Sequence, residues 1–385
     1  MRRLLCVAPS ATPVAWSADG CLASGPTPGQ WRPGRRTEGA PPLVTRPPDV
    51  VCLGESMVTF LPTAPGRLAD VPAFARAIGG AESNVACGLA AAGHRTAWVS
   101  RVGADGFGEH LVAAIGAYGV DTTAVRHDPV RPTGIYFRTA GDRATAAHEV
   151  AYYRAGSAAS AMTTANLDLA AIRSGRILHL SGITAALSAG CRGLVRALVA
   201  PSPGRPLVSF DVNHRPGLWR GPAGGPVLLD LARGADLVFV GEDEAAHAWG
   251  LTGGPDAVRE ALPEPGLLVV KRGSGGAVAY DAHGGRYAEA APRVEVAAAV
   301  GAGDAFAAGF LSATLRGLPL PARLRHGHLW AAAALTVPGD LATPPSRALA
   351  DRLAGLGAAH WGRLHLGPGW TEDATAAVDQ EVRTP

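Results

Sequence analysis

Short apolar runs alternate with helical patterns along most of the chain from residue 49 onward. The runs end in glycine or polar residues, as buried strands of parallel sheets often do. They lie at residues 49–55, 96–102, 176–182, 207–213, 235–240 and 266–273. Strands that alternate with helices at this spacing predict an α/β fold with a mostly parallel central sheet.

The pattern changes between residues 131 and 160. Two β-type segments, 133–138 and 149–154, flank a polar turn and predict a hairpin that interrupts the α/β series. Its tyrosines and Arg154 would suit a lid over a polar anionic ligand, because Arg pairs bidentately with carboxylates and Tyr hydroxyls orient oxygen atoms. An ordinary half-exposed sheet with aromatic cross-strand packing fits the same residues.

The two ends of the chain lack this periodicity. Residues 1–48 are rich in Pro, Gly and Arg and predict a disordered or extraneous extension. Their short apolar start is broken by Pro9 and Pro13, which argues against a secretion signal. The folded domain is predicted over residues 49–361, and residues 362–385 are predicted to be a flexible tail.

Composition narrows the classes of partner. The chain has 385 residues, 47% hydrophobic and 17% charged, with a net charge of +3, so a small molecule is a better partner than nucleic acid or an acidic membrane. Its five cysteines form no CxxC pair, which suggests reduced thiols in a cytoplasm. No apolar run approaches the roughly 20 residues of a membrane span.

Two glycines, a carboxylate and the start of an apolar helix coincide at residues 300–306. A helix is predicted over residues 305–316. The turn of Gly301, Ala302 and Gly303 lets the backbone approach a ligand, and free N–H groups at a helix N-terminus carry partial positive charge. The stretch therefore predicts a cradle for a phosphate or an oxyanion.

Asp304 is an unusual residue for such a cradle. Its charge would compete with a bound phosphate unless the carboxylate takes up a proton during the reaction. The first hypothesis is therefore phosphoryl transfer with Asp304 as the base. The alternative is that Asp304 is only a helix N-cap, a position where Asp is common.

Other polar residues lie where an α/β sheet binds ligands. Gly79 and Gly80 open a second small-residue helix, and Asn84 projects from its first turn, although a tight capped turn fits these residues equally. Asp211, Asn213 and Arg215 follow a strand and so lie outside the carboxyl edge of the sheet. The glycine turn at 271–276 can admit a nucleotide.

Several common classes of site are missing from the sequence. There is no G-x-x-x-x-G-K-[ST] phosphate loop, and the glycines at 301–303 lack the third glycine and the early position of a dinucleotide fingerprint. The sequence also has no zinc-type His/Cys cluster and no G-x-S-x-G elbow of a serine hydrolase.

Two of the motifs occur together in one known family. Residues 79–86 with 103–108, and later residues 300–310, resemble the two signatures of the ribokinase-like (PfkB) carbohydrate kinases. The resemblance covers about residues 49–350. It implies a three-layer ribokinase-like fold, a small β-sheet lid from segments near 57–77 and 131–157, and ATP-dependent phosphorylation of a sugar hydroxyl.

Within this family the chain is similar to the 2-keto-3-deoxygluconate kinases at residues 133–136, 152–160 and 211–219. Many sugar kinases of the family carry an acidic residue shortly after the first strand, and it binds the neutral hydroxyls of the sugar. In this chain residues 56–59 of that segment read Ser-Met-Val-Thr. The site implied for a sugar acid contains Arg154 and Arg215, and these two cations give a physical reason for it to prefer an anionic substrate. That site would consist of Gly80, Asn84, Tyr136, Tyr152, Arg154 and Arg215.

The resemblance also implies a reaction. Asp304 would accept the proton of the terminal sugar hydroxyl, expected to be O6, as it attacks the γ-phosphorus of ATP, and Gly301, Ala302 and Gly303 would cradle the transferring group. Mg²⁺ would bridge the phosphates, with Glu244 acting through water. The nucleotide is expected along a turn that contains Lys271, Gly273, Ser274 and Gly276.

Two departures from the family pattern keep alternatives open. Gly241 replaces the Asn that usually lies three residues before the glutamate at Glu244, and Ala298-Ala299 replaces a common Asp-Thr, so cation handling is in doubt. The alternatives are a kinase for a neutral sugar such as fructose or ribose, and a weakly active homologue that binds sugar or nucleotide for regulation. The lid is also a candidate surface for a homodimer or a higher homo-oligomer.

Overall fold

The structure is a computed structural model, and it describes residues 46–139, 149–219 and 223–372. The predicted N-terminal extension lies almost wholly outside these ranges, as do residues 373–385 of the predicted tail. Within the described ranges, none of the helices combines the length and apolar character needed to cross a bilayer.

Sixteen strands, most of them short, occur among the described residues. In chain order they are β1 Val50–Leu53, β2 Met57–Pro62, β3 Phe74–Gly79, β4 Thr96–Val99, β5 Arg101–Gly103, β6 Arg126–Asp128, β7 Ile135–Arg138, β8 Val150–Tyr153, β9 Ile177–Ser181, β10 Leu207–Asp211, β11 Leu237–Gly241, β12 Leu267–Lys271, β13 Ala277–Asp281, β14 Arg286–Glu289, β15 Arg293–Val294 and β16 His365–Leu366.

Twelve α-helices connect or follow these strands in the described part of the chain. They are α1 Ala81–Ala91, α2 Gly106–Ala117, α3 Leu169–Ile172, α4 Gly182–Ala186, α5 Ala189–Val199, α6 Gly224–Arg233, α7 Glu242–Trp249, α8 Gly254–Ala261, α9 Ala302–Leu315, α10 Leu320–Leu335, α11 Arg347–Ala354 and α12 Ala358–Trp361.

The central sheet has eight strands in the order β14-β13-β12-β11-β10-β9-β1-β4. Its strands from β12 to β4 run parallel, and β13 and β14 form an antiparallel edge. The predicted α/β class with a mostly parallel sheet is confirmed.

Both faces of the central sheet are covered by helices. Side chains of a strand alternate between the two faces, so Val50 and Cys52 enter one apolar core while Val51 and Leu53 enter the other. The first core includes residues of α1, α2, α9, α10 and α11, and the second includes residues of α3 to α8. This arrangement gives the three layers of helix, sheet and helix.

A second sheet has four strands in the order β3-β2-β7-β8. Strands β7 and β8 pair antiparallel, as the predicted hairpin requires, and β2 joins them by parallel pairing with β7. The sheet is therefore formed by the two segments that the sequence predicted for a lid. Its aromatic residues do pack across strands, with the Phe60 and Phe137 rings stacked 4.8 Å apart.

Three boundaries differ from the prediction. Helix α9 begins at Ala302, three residues before the predicted start at 305. The run at 96–102 is broken at Ser100 into β4 and β5, which belong to different sheets. The folded part extends past residue 361, because β16 pairs with β15 and Trp370 is buried, so the tail predicted from residue 362 begins too early.

Candidate active site

The N-terminus of α9 is the centre of the site. Gly301 is its N-cap residue and has a φ of 74°, a left-handed conformation that favours glycine. A Cβ on Gly301 would also lie 2.3 Å from the backbone oxygen of Asp340, so a side chain is excluded twice. The first N–H groups of an α-helix have no partner within the helix, so those of α9 can donate hydrogen bonds to a bound anion.

Asp304 lies in the first turn of α9, and its side chain does not cap the helix. The N-cap alternative for Asp304 is therefore wrong. Its Oδ2 accepts a hydrogen bond of 2.9 Å from Asn84 Nδ2. Burial raises the pKa of Asp304 to about 7, although the bond from Asn84 acts to lower it. A carboxylate with this pKa is well matched to proton transfer near neutral pH.

The glycine pair before α1 allows the lid residue Tyr136 and the backbone of Glu55 to lie close to this turn. A Cβ on Gly79 would lie 2.3 Å from the Tyr136 hydroxyl, and one on Gly80 would lie 2.5 Å from the backbone oxygen of Glu55. Gly80 is the N-cap residue of α1, whose first turn carries Asn84. Gly80 and Asn84 therefore lie at the start of α1, where Asn84 contacts Asp304, and Tyr136 lies against the neighbouring Gly79.

Asp340 connects the lid to the turn before α9. Its Oδ2 accepts a 2.6 Å hydrogen bond from the Tyr136 hydroxyl, and its Oδ1 accepts one of 2.8 Å from Arg138 Nη2. The Arg138 and Asp340 side chains are only 5% and 6% exposed. Burial, together with the charge of Asp340, raises the pKa of Tyr136, so its hydroxyl remains a donor. Sequence reasoning missed Arg138 and Asp340.

Arg154 has a partner that the sequence did not assign. Its Nε donates a 2.7 Å hydrogen bond to Oε2 of the buried Glu55, and its Nη2 makes an ion pair with the same oxygen. Glu55 also accepts a hydrogen bond from Ser157. The guanidinium lies 5.9 Å from the ring centroid of Tyr152, which is 55% exposed and itself 5.4 Å from the Tyr136 ring.

A charged group lies at the carboxyl ends of β10 and β12. Lys271 Nζ donates to both carboxylate oxygens of Asp211, at 3.1 and 2.9 Å. Although burial acts to lower the pKa of Lys271, the charges of Asp211 and Glu244 raise it overall. The ammonium is therefore a permanent cation at neutral pH.

Glu244 lies in the first turn of α7, and its side chain folds back toward Gly241, the N-cap residue of that helix. Its Oε2 accepts a 2.7 Å hydrogen bond from the Gly241 N–H, and its Oε1 lies 3.7 Å from Nη1 of Arg215. Burial raises the pKa of Glu244. Arg215 is half exposed and lies in the loop after β10.

The turn after β12 is exposed at residues 272–275 and lies next to α7. Arg272 Nε donates a 3.0 Å hydrogen bond to Oε2 of Glu242, which ties the turn to that helix. Gly273 and Ser274 are exposed, and Gly276 directly precedes β13, which returns antiparallel to β12. The predicted nucleotide-binding residues therefore lie at the same end of the sheet as Lys271.

These groups together define a class of protein. A carboxylate with a near-neutral pKa, free backbone N–H groups at a helix N-terminus and a fixed ammonium are the groups that transfer a phosphoryl group to a hydroxyl. The four-stranded sheet reaches this site through Tyr136, which donates to Asp340, whose backbone lies against the turn at Gly301. The fold and the site are those of a phosphotransferase.

The chain belongs to the PfkB family of carbohydrate kinases, whose family model matches residues 47–347. It is a sugar kinase. The 2-dehydro-3-deoxygluconokinase of Bacillus subtilis is 34% identical over 310 residues, which cover 78% of this chain and 93% of the relative. The enzyme of the same name from Thermoproteus tenax is 33% identical and covers 79% and 93%. A probable chloroplastic fructokinase of Arabidopsis thaliana is 33% identical and covers 75% and 77%.

Solved structures agree with this family. A PfkB protein from Polaromonas is 37% identical, with a TM-score of 0.69 over 78% of this chain and 98% of the other. An uncharacterized sugar kinase from Pyrococcus horikoshii, solved in complex with ATP, is 26% identical with a TM-score of 0.68, covering 81% and 99%. The 2-dehydro-3-deoxygluconokinase of Thermotoga maritima is 25% identical with a TM-score of 0.68, covering 80% and 99%.

Proposed function

We propose that this protein phosphorylates a sugar acid with ATP, converting 2-keto-3-deoxygluconate to 2-keto-3-deoxy-6-phosphogluconate. The observation that carries the proposal is the position of Asp304 in the first turn of α9, where burial raises its pKa to about 7 and Asn84 donates a hydrogen bond to its carboxylate. The names of two similar relatives, both 2-dehydro-3-deoxygluconokinases, support this choice of sugar.

The substrate would lie with its carboxylate toward the lid and its terminal hydroxyl toward α9. Arg154 and Arg215 offer the positive charge for the carboxylate, and Tyr136 and Tyr152 offer hydroxyl groups for the oxygen atoms of the sugar. Gly80 lets the sugar lie close to the backbone, and Asn84 donates to Asp304 while facing the same pocket. This placement puts one hydroxyl beside the base.

The transfer follows from the charges in the pocket. Asp304 takes the hydroxyl proton as the sugar oxygen attacks the γ-phosphorus, and ADP leaves with the electron pair of the broken bond. The N–H groups of Ala302, Gly303 and Asp304 stabilise the charge that develops on the phosphoryl oxygens. The nucleotide would lie along Gly273, Ser274 and Gly276.

Mg²⁺ would arrive as part of the MgATP substrate. The described residues contain no group of three His, Cys, Asp or Glu side chains arranged to hold a metal ion. Glu244 uses one oxygen on the Gly241 N–H and has the other near Arg215, which suits an outer contact through water better than direct coordination. Bound Mg²⁺ would neutralise charge on the phosphates, and the residues of the chain would orient the nucleotide and the sugar.

One observation favours a second candidate, a neutral sugar such as fructose. Glu55 already pairs with Arg154, so part of the positive charge expected for a carboxylate is balanced within the protein. The similarity to a probable fructokinase agrees with this alternative. A sugar acid that binds Arg154 would have to share the guanidinium with Glu55.

An assay that couples ADP release to absorbance separates the candidates. We expect 2-keto-3-deoxygluconate to give the highest kcat/KM when it is compared with fructose, ribose and a nucleoside. A wide margin in favour of fructose would overturn the sugar-acid assignment. Absence of ADP release with every sugar would leave the weakly active regulatory homologue suggested by Gly241 and Ala298.

Two further proposals concern assembly and location. Strand β8 is an edge of the lid sheet and exposes Tyr152 and Tyr153, at 55% and 65%, so a second copy of the chain could pair there. Light scattering on the wild type and on a Tyr153→Lys variant measures this; a monomeric wild type would refute it. The buried free thiols Cys52, Cys87 and Cys191 fit the predicted cytoplasmic location.

A further inference from the structure

We propose that Lys271 is a catalytic cation that contacts the phosphoryl group during its transfer, and that Asp211 positions it. The inference rests on the proposed kinase reaction and assigns these two residues a part in it. In that reaction a bond forms between the sugar oxygen and the γ-phosphorus, and the bond from the γ-phosphorus to the β,γ-bridging oxygen breaks. ADP keeps the electron pair, and Asp304 receives the proton.

The position of the ammonium is the first argument. A methyl group placed on Gly303 would lie 3.7 Å from Lys271 Nζ, so the ammonium faces the first turn of α9. The N–H groups of that turn are the donors that would hold a phosphoryl oxygen. An oxyanion bound there would therefore have Lys271 on one side and the helix N-terminus on the other.

The tether is the second argument. Lys271 ends β12 and Asp211 ends β10, and β11 lies between them in the sheet. Neighbouring strands are about 4.8 Å apart, so the lysine and aspartate side chains together bridge roughly 10 Å of sheet edge. Such a contact fixes the long and flexible lysine chain in one direction. Asp211 is only 3% exposed, so this anchor is rigid.

The bonding capacity of the ammonium is the third argument. An ammonium group has three N–H donors, and Lys271 uses its described hydrogen bonds on the two oxygens of Asp211. One donor remains for a ligand. The side chain is 18% exposed, so this donor is open to the pocket and not sealed in the core.

The local charge balance explains why such a cation is needed. Asp211, Glu244 and Asp304 are three carboxyl groups around the place where a phosphate would arrive, and Lys271 and Arg215 are the cations whose charges act on Asp304. Arg215 is half exposed, so water screens its charge more strongly. Lys271, in contrast, is held by Asp211 and faces the first turn of α9.

Lys271 is the only lysine in the sequence, which allows a direct test. Protein labelled with ¹⁵N-lysine has one side-chain Nζ to observe by NMR. We expect this signal to shift when ADP and fluoroaluminate, a mimic of the transferring phosphoryl group, are added with the sugar. ADP alone should leave it almost unchanged, and an equal shift with ADP alone would overturn the proposal.

Variants test the energetic part. Lys271→Gln should lower kcat about 100-fold or more, as loss of one oxyanion donor does, and weaken binding of ADP-fluoroaluminate by a similar factor without changing the Kd for ADP. Asp211→Asn should lower kcat less. The double variant should resemble Lys271→Gln alone, because Asp211 acts through the lysine. Arg196→Gln, which removes an exposed cation paired with Asp230, is the matched control.

Other outcomes separate a structural role from a catalytic one. If Lys271→Gln and Asp211→Asn lower the melting temperature equally but leave kcat unchanged, the pair only stabilises the sheet edge and the proposal fails. If Lys271→Gln does not fold, the NMR experiment on the wild type still decides. If the wild type phosphorylates no sugar while the signal still shifts with ADP-fluoroaluminate, the substrate assignment fails and the lysine contact stands.

Discussion

Asn84 Nδ2 donates a hydrogen bond of 2.9 Å to Asp304 Oδ2, and this contact joins the first turns of α1 and α9. The two residues are 220 positions apart in the sequence. Each helix begins after glycine and each belongs to a different motif. Because this bond acts to lower the pKa of Asp304, a change at Asn84 should alter the proposed proton transfer as well as the proposed sugar binding.

The first prediction concerns pH. Because burial raises the pKa of Asp304 to about 7, kcat/KM should rise as the pH increases through that value and Asp304 loses its proton. In Asn84→Ala the bond that favours the carboxylate is lost, so the midpoint should move to higher pH. A pH profile of kcat/KM for both proteins measures this. A wild-type midpoint near 4 would contradict the assignment of Asp304 as a base in this environment.

The second prediction is that Asp304→Asn removes turnover by several orders of magnitude and stabilises the fold. A carboxyl whose pKa is raised by folding holds more protons in the folded state between its two pKa values, so stability falls as pH rises from about 4 to about 7. Asp304→Asn has no carboxyl at this position, so its stability does not fall with pH in this way. We expect a gain on the order of 1–2 kcal/mol at pH 8, because the partly exposed carboxylate keeps some water.

Urea unfolding at two pH values tests the stability part. The difference between wild type and Asp304→Asn should be largest at pH 8 and should nearly vanish at pH 4. A constant difference would show that the asparagine acts through packing and not through charge. Turnover near the wild-type rate would show that Asp304 is not the base.

The third prediction concerns the buried contact between lid and body. Asp340→Ala leaves the Arg138 guanidinium buried and unpaired, at a cost of about 3–5 kcal/mol. It should also raise the KM for the sugar, since the Tyr136 hydroxyl loses its acceptor. Unfolding curves and steady-state kinetics measure the two effects.

A double variant is the control for this contact. Arg138→Met with Asp340→Ala removes both charges and should be clearly more stable than Asp340→Ala alone. Equal stability of the two proteins would mean that the unpaired guanidinium carries no penalty, which contradicts the prediction.

The fourth prediction tests the choice of sugar. Arg154→Met should weaken apparent binding of the sugar acid, with KM about 30- to 100-fold higher, the value of a lost charge-assisted hydrogen bond. The KM for fructose should change much less. Because the substitution leaves Glu55 buried without its partner, the double variant with Glu55→Gln serves as the control. Steady-state kinetics with both sugars measure the effect, and equal losses would assign Arg154 to the fold alone.

The fifth prediction concerns Gly301 and separates the cost of its left-handed backbone from the cost of a clash with Asp340. Gly301→Ala should lower both activity and stability, because Gly301 has a φ of 74° and an added Cβ would clash with the backbone of Asp340. Gly317→Ala is the matched control, with a φ of 71° and no neighbour within 4 Å of the added Cβ. It should lose only about 1 kcal/mol and keep its activity. Thermal unfolding and ADP release compare the two proteins.

Much of the fold follows from local patterns. The six parallel strands of the central sheet are apolar runs, and burial on both faces is what such runs require, so they were predictable. The end of the folded part was not, because β16 contains only His365 and Leu366 and forms by pairing with β15 about 70 residues earlier. A strand of two residues leaves no period in the sequence.

The site was predictable where glycine marks it. Gly80 and Gly301 precede helices, and from them Asn84 and Asp304 could be placed near a ligand. Glu55, Arg138 and Asp340 were missed because each is defined by a partner far away in the sequence. Local composition shows that charged residues are present, but it does not show which arginine pairs with which carboxylate.

The contacts of Asp340 imply a cost for using ATP without sugar. Its carboxylate is held by the lid strand β7, while its backbone oxygen packs against the turn at Gly301. Asp340 therefore contacts both the four-stranded sheet and the turn before the helix that carries Asp304. An enzyme with an open lid would present a disturbed cradle to the nucleotide, and water would be a poor acceptor there. The protein should therefore waste little ATP by hydrolysis when its sugar is absent.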